Sequence, residues 1–300
     1  MSEPRGRVLA GFAVLTLVWG TTWAAIRVGL AGVPPFTGVA LRFSLAGALL
    51  FALARRLGVP LGGGGRREWL LWLSNGALSF CVSYAVVYWS EQYIPSGLAA
   101  VLFATHPLFV AVLAHFALPG ERLSAPTVAG LAFGFAGVAV IFSDDLRLLG
   151  GAHVRDAALV MLLSPLASAV SGVLIKRWGA GVHPLSLAAV PMLLCGAVMT
   201  PVALVVERGV PVVLDLRSLG ALCYLAVFGS ALTFTVYYWI LARVSATAVA
   251  LSSYLIPIVA VAVGVLLFDE PLRPRLVAGS ALVLAGVGGV SLLRARAARR

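Results

Sequence analysis

Charge is scarce in this 300-residue chain, and that scarcity excludes most soluble folds. Only 11% of the residues are charged and 61% are hydrophobic, with a mean hydropathy of +1.03, values that an ordinary soluble domain of this length does not reach. Cysteine is rare as well: Cys81, Cys195 and Cys223 fall inside apolar runs without metal-ligand spacing. Neither a disulfide framework nor a metal site is expected from them. No G-x-x-x-x-G-K-[ST] stretch occurs, so the common ATP-binding loop is excluded. Asp144-Asp145 reads as a solvated loop, and no nucleophile with its base and no metal-spaced ligand set accompanies it. An enzyme is not expected, and no cofactor is implied. Lysine is nearly absent, since Lys176 is the one Lys among 22 basic residues.

What is present is long apolar sequence. Ten apolar segments run over 8–30, 38–56, 69–90, 96–118, 125–143, 157–175, 185–206, 217–241, 246–268 and 275–293, and most approach the roughly 20 residues a helix needs to cross a bilayer. The net charge of +11 would suggest nucleic acid in a soluble protein. Here the basic residues sit between apolar segments and at the termini, where they act as topology signals, and no nucleic-acid partner is expected. Counted over alternate loops they divide fourteen to six, which predicts a multi-pass membrane protein with both termini in the cytoplasm.

The chain also repeats itself. Tyr88-Trp89 and Pro107 recur as Tyr238-Trp239 and Pro257 at an offset of 150, and Glu121 is answered by Glu270 at 149. Pro35 and Pro184, Gly47 and Gly196, Gly130 and Gly279, and Gly137 and Gly286 are likewise 149 apart. Residues 1–148 and 149–300 are therefore expected to be two copies of a five-helix unit. Five is odd, so the second copy enters the membrane from the opposite side. The expected fold class is an all-α polytopic membrane protein with ten transmembrane helices as two inverted five-helix repeats, the plan of many secondary transporters, whose substrate site lies near the midplane between the halves.

Candidate residues follow from depth and type. His106 is an ionisable group midway along span four, expected to bind a proton or touch substrate, with hydrogen bonding to a neighbouring helix as the competing reading. Its counterpart Ile256 is apolar. Pro107 and Pro257 remove a backbone donor inside spans four and nine and read as a matched pair of hinges. Ser83 and Tyr84 in span three and Thr233 and Tyr237 in span eight lie deep enough to line a pocket, whereas Tyr88, Trp89, Tyr238 and Trp239 near span ends read as interfacial belt. Trp19, Thr22 and Trp23 of span one, Ser168 of span six and Tyr254 of span nine complete the substrate-binding set. Among the cations, Lys176 is expected to snorkel to the interface and Arg42, deeper in span two, stays a minor site candidate. Glu121 and Glu270 are expected to cap the first turn of the helix that follows each. The glycine faces of spans five and ten are expected to pack helices closely, within the chain or between chains.

The first-span stretch WGTTWAAIRVGL, the Pro34-Pro35 turn, Leu41-Arg42-Phe43, and the corners at Glu121 and Asp269-Glu270-Pro271 resemble those of the drug/metabolite transporter superfamily, specifically its EamA-type permeases. The resemblance covers the whole chain. It implies a bacterial inner-membrane, secondary-active exporter of small metabolites such as amino acids, working by alternating access around a cavity between spans one, three, four, six, eight and nine. Protons are a possible coupling ion, and the partners are a small-molecule substrate and the lipid bilayer. The alternatives are a sugar-phosphate or nucleotide-sugar exchanger, which would need cations at cavity depth, and an exporter of cationic drugs.

Overall fold

The computed structural model describes residues 5–61, 65–141, 143, 152–259 and 274–297. Within them, apolar helices run in the order α1 (Gly6–Leu30), α2 (Pro35–Arg56), α3 (Arg66–Ser90), α4 (Leu98–Ala117), α5 (Ala125–Ile141), α6 (His153–Trp178), α7 (Pro184–Val206), α8 (Leu216–Leu241), α9 (Ala246–Val259) and α10 (Val277–Gly289). Seven are long and apolar enough to cross a membrane, and α5, α9 and α10 are the shorter three. The protein is all-α and polytopic, as the apolar runs predict. Asp144-Asp145, Glu270 and the distal part of span nine lie outside the described residues.

Helix starts follow local chemistry. Pro35 and Pro184 each sit in the first turn of their helix, where the missing N–H costs nothing and the fixed φ is already helical. His183 caps α7 by accepting from Leu185 N, and Asp215 caps α8 by accepting from Ser218 N at 2.7 Å. The Ser218 backbone and hydroxyl hydrogen bonds hold the Asp215 carboxyl below its usual range.

The two halves meet through matched helix pairs. α2 lies on α7 so closely that a Cβ on Gly47 would meet Leu193 N at 2.9 Å, and one on Gly196 would meet the Ser44 backbone at 3.1 Å. Numbers rise along α2 as they fall along α7, so these equivalent helices are antiparallel. The same holds for α5 and α10, where a Cβ on Gly137 would meet Gly279 O at 2.6 Å and one on Gly279 would meet Gly137 O at 2.6 Å. Antiparallel packing of equivalent helices is what an inverted repeat requires, and it places the small-residue faces at contacts within one chain.

Two duplicated irregularities shape the interior. α3 widens into a π-helical stretch at Gly76–Val82, and α8 does so at Val227–Leu232. A π turn displaces the ladder by one residue and leaves backbone groups for other partners, a feature frequent at functional sites. One such group, Gly229 O, accepts from Arg42 Nη2 at 3.0 Å. The second irregularity is the break in α4 and α9. α4 turns at Ala104-Thr105 before a new segment begins at His106-Pro107, and α9 passes through a 3₁₀ turn at Ser252–Tyr254 just before Pro257. A proline ring clashes with the carbonyl four residues back, so the helix breaks there. Thr105 Oγ1 and Ser252 Oγ bond to the carbonyls of Leu102 and Val249, each at 2.7 Å.

Several expectations require correction. Tyr88 and Tyr238 are 3% and 2% exposed and are interior groups, not interfacial belt. Tyr88 OH accepts from Arg42 Nη1 at 3.3 Å. Tyr238 OH and Ser171 Oγ both reach Asn75 Oδ1 at 3.0 Å. Lys176 does not snorkel: its Nζ donates to Leu241 O at 2.8 Å and Val244 O at 2.7 Å, closing the end of α8. Glu121 caps a helix, but not the next one. It reaches α9, accepting from Ala246 N at 2.7 Å and Thr247 N at 3.0 Å. On the opposite face Glu207 does the same for α2, accepting from Phe36 N at 2.7 Å and Thr37 N at 2.8 Å.

Candidate functional site

Six helices, α1, α3, α4, α6, α8 and α9, surround a cavity with about 940 Å³ of empty space, its open mouth included. These are the six that the family resemblance predicts. α1 contributes Trp19, Thr22, Trp23 and Ile26, and α3 contributes Ser79, Ser83, Tyr84 and Val87. α4 presents Ala100, Phe103, Ala104 and His106 on both sides of its break, and α9 presents Val249, Ser252, Ser253, Ile256 and Pro257 around its own. Ser168 of α6 and Phe234 and Tyr237 of α8 close the ring.

The cavity straddles the pseudo-two-fold axis. Trp19 and Ser168 are repeat mates at an offset of 149, and Tyr84 and Phe234, Val87 and Tyr237, Phe103 and Ser253, and His106 and Ile256 are mates at 150. In every pair both members line the cavity, yet their chemistry differs. Aromatic side chains wall the cavity in two groups: Trp19 meets Phe234 at 5.5 Å between ring centroids, while Trp23 meets Phe103 at 5.7 Å and Phe103 stacks on His106 at 5.6 Å. Such ring pairs add roughly 0.5–1.5 kcal/mol each beyond area burial and hold the wall in shape. Opposite them, Ser83 Oγ lies 2.8 Å from Ser164 Oγ and accepts from Ser168 Oγ at 2.9 Å, a hydroxyl chain joining α3 to α6.

Of the residues expected from the sequence, Trp19, Thr22, Trp23, Ser83, Tyr84, His106, Ser168, Tyr237 and Pro257 converge here. Thr233 and Tyr254 do not. Thr233, one turn before Tyr237, is fully buried and off the lining, and Tyr254 packs its ring on Gly134 while donating to Leu131 O at 3.1 Å, which ties α9 to α5. Pro107 lies behind His106, off the lining. Sequence reasoning passed over Ser79, Phe103 and Phe234, although the 150 offset that links Phe234 to Tyr84 was a usable signal. It also missed Glu91, in the turn between α3 and α4, whose carboxylate is 7% exposed with neither oxygen in hydrogen-bond geometry to a described residue.

Among the described residues, no Asp, Glu, Lys or Arg lines the cavity. Arg42 is near but engaged: fully buried and off the lining, it donates Nε to Ser230 Oγ at 2.8 Å and lies 4.6 Å from the Tyr84 ring centroid. Its guanidinium braces α2 against the π turn of α8. Among the described residues, no group of three or more His, Cys, Asp or Glu side chains could hold a metal.

The profile of the EamA-like transporter family matches residues 7–143 and again 156–292. The chain belongs to this family. Among similar proteins, the uncharacterized inner membrane transporter YedA of Escherichia coli (strain K12) is 30% identical over 86% of this chain and 82% of its own length. A probable amino-acid metabolite efflux pump of the same strain is 26% identical over 91% of each. A crystal structure matches with a TM-score of 0.81 at 23% identity, covering 98% of this chain and 99% of that one, which shows the fold. This EamA-family protein is a multi-pass membrane transporter of small molecules.

Proposed function

We propose that this transporter is a secondary-active exporter of small amphipathic metabolites, amino acids foremost, residing in the bacterial inner membrane with both termini cytoplasmic. The observation that carries the reading is the matched break in α4 and α9 beside an aromatic cavity on the pseudo-axis that no described Asp, Glu, Lys or Arg lines. Broken helices at the repeat interface supply both a site and a place to bend. Pro107 and Pro257 are the hinges, and rocking of the halves about them exposes the cavity to each side in turn. The efflux-pump relative supports the direction and the cargo class.

The sugar-phosphate or nucleotide-sugar alternative loses support, because phosphate recognition wants cations at cavity depth and Arg42 is committed elsewhere. A second reading, export of organic cations, is favoured by the ring faces of Trp19, Trp23 and Tyr237, since such faces attract cations. Counterflow into proteoliposomes with a panel of labelled amino acids and organic cations separates the two. Accumulation of an amino acid against dilution is expected, and failure of the whole panel would refute the reading. Proton coupling through His106 predicts that His106→Ala alters the pH dependence of efflux, and an unchanged profile would remove that role.

A further inference from the structure

Several hydroxyls around the cavity already have partners. Thr22 Oγ1 donates to Trp19 O at 2.8 Å, Ser168 Oγ donates to Ser83, and Ser252 Oγ donates to Val249 O. Two nitrogens of lining residues, Trp19 Nε1 and His106 Nδ1, are themselves buried and without a hydrogen-bond partner among the described residues. An indole N–H can only donate, and an imidazole nitrogen can donate in the right tautomer. Buried donors left unsatisfied cost about 1–3 kcal/mol each, so this pattern fits a site whose missing partner is the ligand.

His106 has a second property. It is 6% exposed and opens the 12-residue helix segment His106–Ala117, which begins at the break of α4 beside the cavity. The first turn of this segment offers an anion little backbone, since Pro107 has no N–H and Leu108 N and Phe109 N both donate to Thr105 O, at 2.9 and 3.2 Å, so any donor here has to be a side chain. Among the described residues, no carboxylate lines the cavity to meet an ammonium. The polar pole of the cavity is thus a donor pole.

Resting on the transporter reading above, we propose that Trp19 Nε1 and His106 are the headgroup donors for a substrate carboxylate, with the apolar body against the aromatic side chains of the lining. The amine of an amino acid is not read there. The cargo class is therefore the amphipathic monocarboxylate, of which an aromatic or branched amino acid is one case and the corresponding deaminated acid another.

The test is a headgroup series on the purified, detergent-solubilised protein: 3-phenylpropionate, phenylalanine and phenethylamine, assayed by calorimetric binding and by competition in counterflow. The acid and the amino acid are expected to bind within a few-fold of each other, and the amine at least tenfold more weakly. Trp19→Phe keeps a ring and deletes the N–H; His106→Phe keeps the stack on Phe103 and deletes both ring nitrogens. Each is expected to weaken the two carboxylates about ten- to hundredfold, the loss of one hydrogen bond to a charged group, and to leave the amine unchanged. Preferential binding of the amine, no binding of the acid, or unaltered carboxylate affinity in both folded variants would overturn the subsite. Carboxylate binding as expected without counterflow of any probe would leave the subsite standing and remove the export reading instead.

Discussion

The buried acid at the end of α3 makes a sharp stability prediction. Glu91 lies in the turn before α4, and burial drives its pKa from 4.5 up to about 8, with Arg27, Ser96 and Arg42 too weakly placed to reverse the effect. From the start of α6, which packs on this end of α3, the nearest residues are the buried Ala157 and Ala158, while His153, Arg155 and Asp156 point outward. A carboxyl with a raised native pKa binds its proton more tightly when folded than when unfolded. Its contribution is therefore intact below pH 4.5 and is lost as pH rises from 4.5 to 8. Each pH unit in that window removes ~1.4 kcal/mol, for a ceiling of ~5 kcal/mol. Water penetration around a buried charge lowers this, and about 2–3 kcal/mol is a working expectation. In Glu91→Gln the titration is gone. The melting temperature of the detergent-solubilised wild type should fall faster than that of the variant between pH 5 and 8, and the variant should be the more stable above pH 8, by about 5 °C. Parallel curves, or a variant less stable than wild type at pH 9, would refute the reasoning.

The glycine crossings make a second prediction: Gly137→Ala or Gly279→Ala drives a methyl into a carbonyl at 2.6 Å and should cost about 1–3 kcal/mol in thermal unfolding, whereas Gly220→Ala, with open space around it, should cost far less. Glu207→Ala removes the acceptor for Phe36 N and Thr37 N; faster hydrogen exchange at those two amides is expected, with α7, capped by its own His183, unaffected. If Pro107 and Pro257 are the hinges, the double Ala variant should keep substrate affinity and lose most of its counterflow rate, and a wild-type rate would exclude them.

Features set by local or periodic rules were legible in the sequence. The spans follow from apolar runs, the inverted halves from the 149–150 offset and an odd helix count, and the close crossings from Gly47, Gly137, Gly196 and Gly279. Long-range polar partners were not legible. Nothing near Glu207 tells that it grips a helix start 170 residues earlier, and nothing near Tyr88 tells that Arg42 will meet it inside the bundle. Position near a span end made Tyr88 and Tyr238 look interfacial, but the helix faces on which they lie turn inward. The π turns have no residue signature beyond Gly76 and Gly229. For the same reason Thr233 and Tyr254, deep and polar, could not be separated by sequence from residues of equal depth on the cavity face.

The division between what the copies share and what they do not has a physical logic. The shared features are properties of the backbone: the glycine crossings, the π turns, and the breaks before Pro107 and Pro257. A protein that must present one cavity to either side needs two conformations of comparable energy, and duplicated backbone geometry supplies them, since each half can take the shape the other has given up. The cavity side chains obey the opposite demand. A lining with true two-fold symmetry would offer a headgroup two equivalent places and hold an asymmetric substrate in two orientations, each at half occupancy. Pairing His106 with Ile256 and Trp19 with Ser168 removes that degeneracy, because the two buried, unpartnered nitrogens of the first copy then have no counterpart in the second. On this argument the scaffold stays symmetric because it moves, and the cavity is asymmetric because its substrate is.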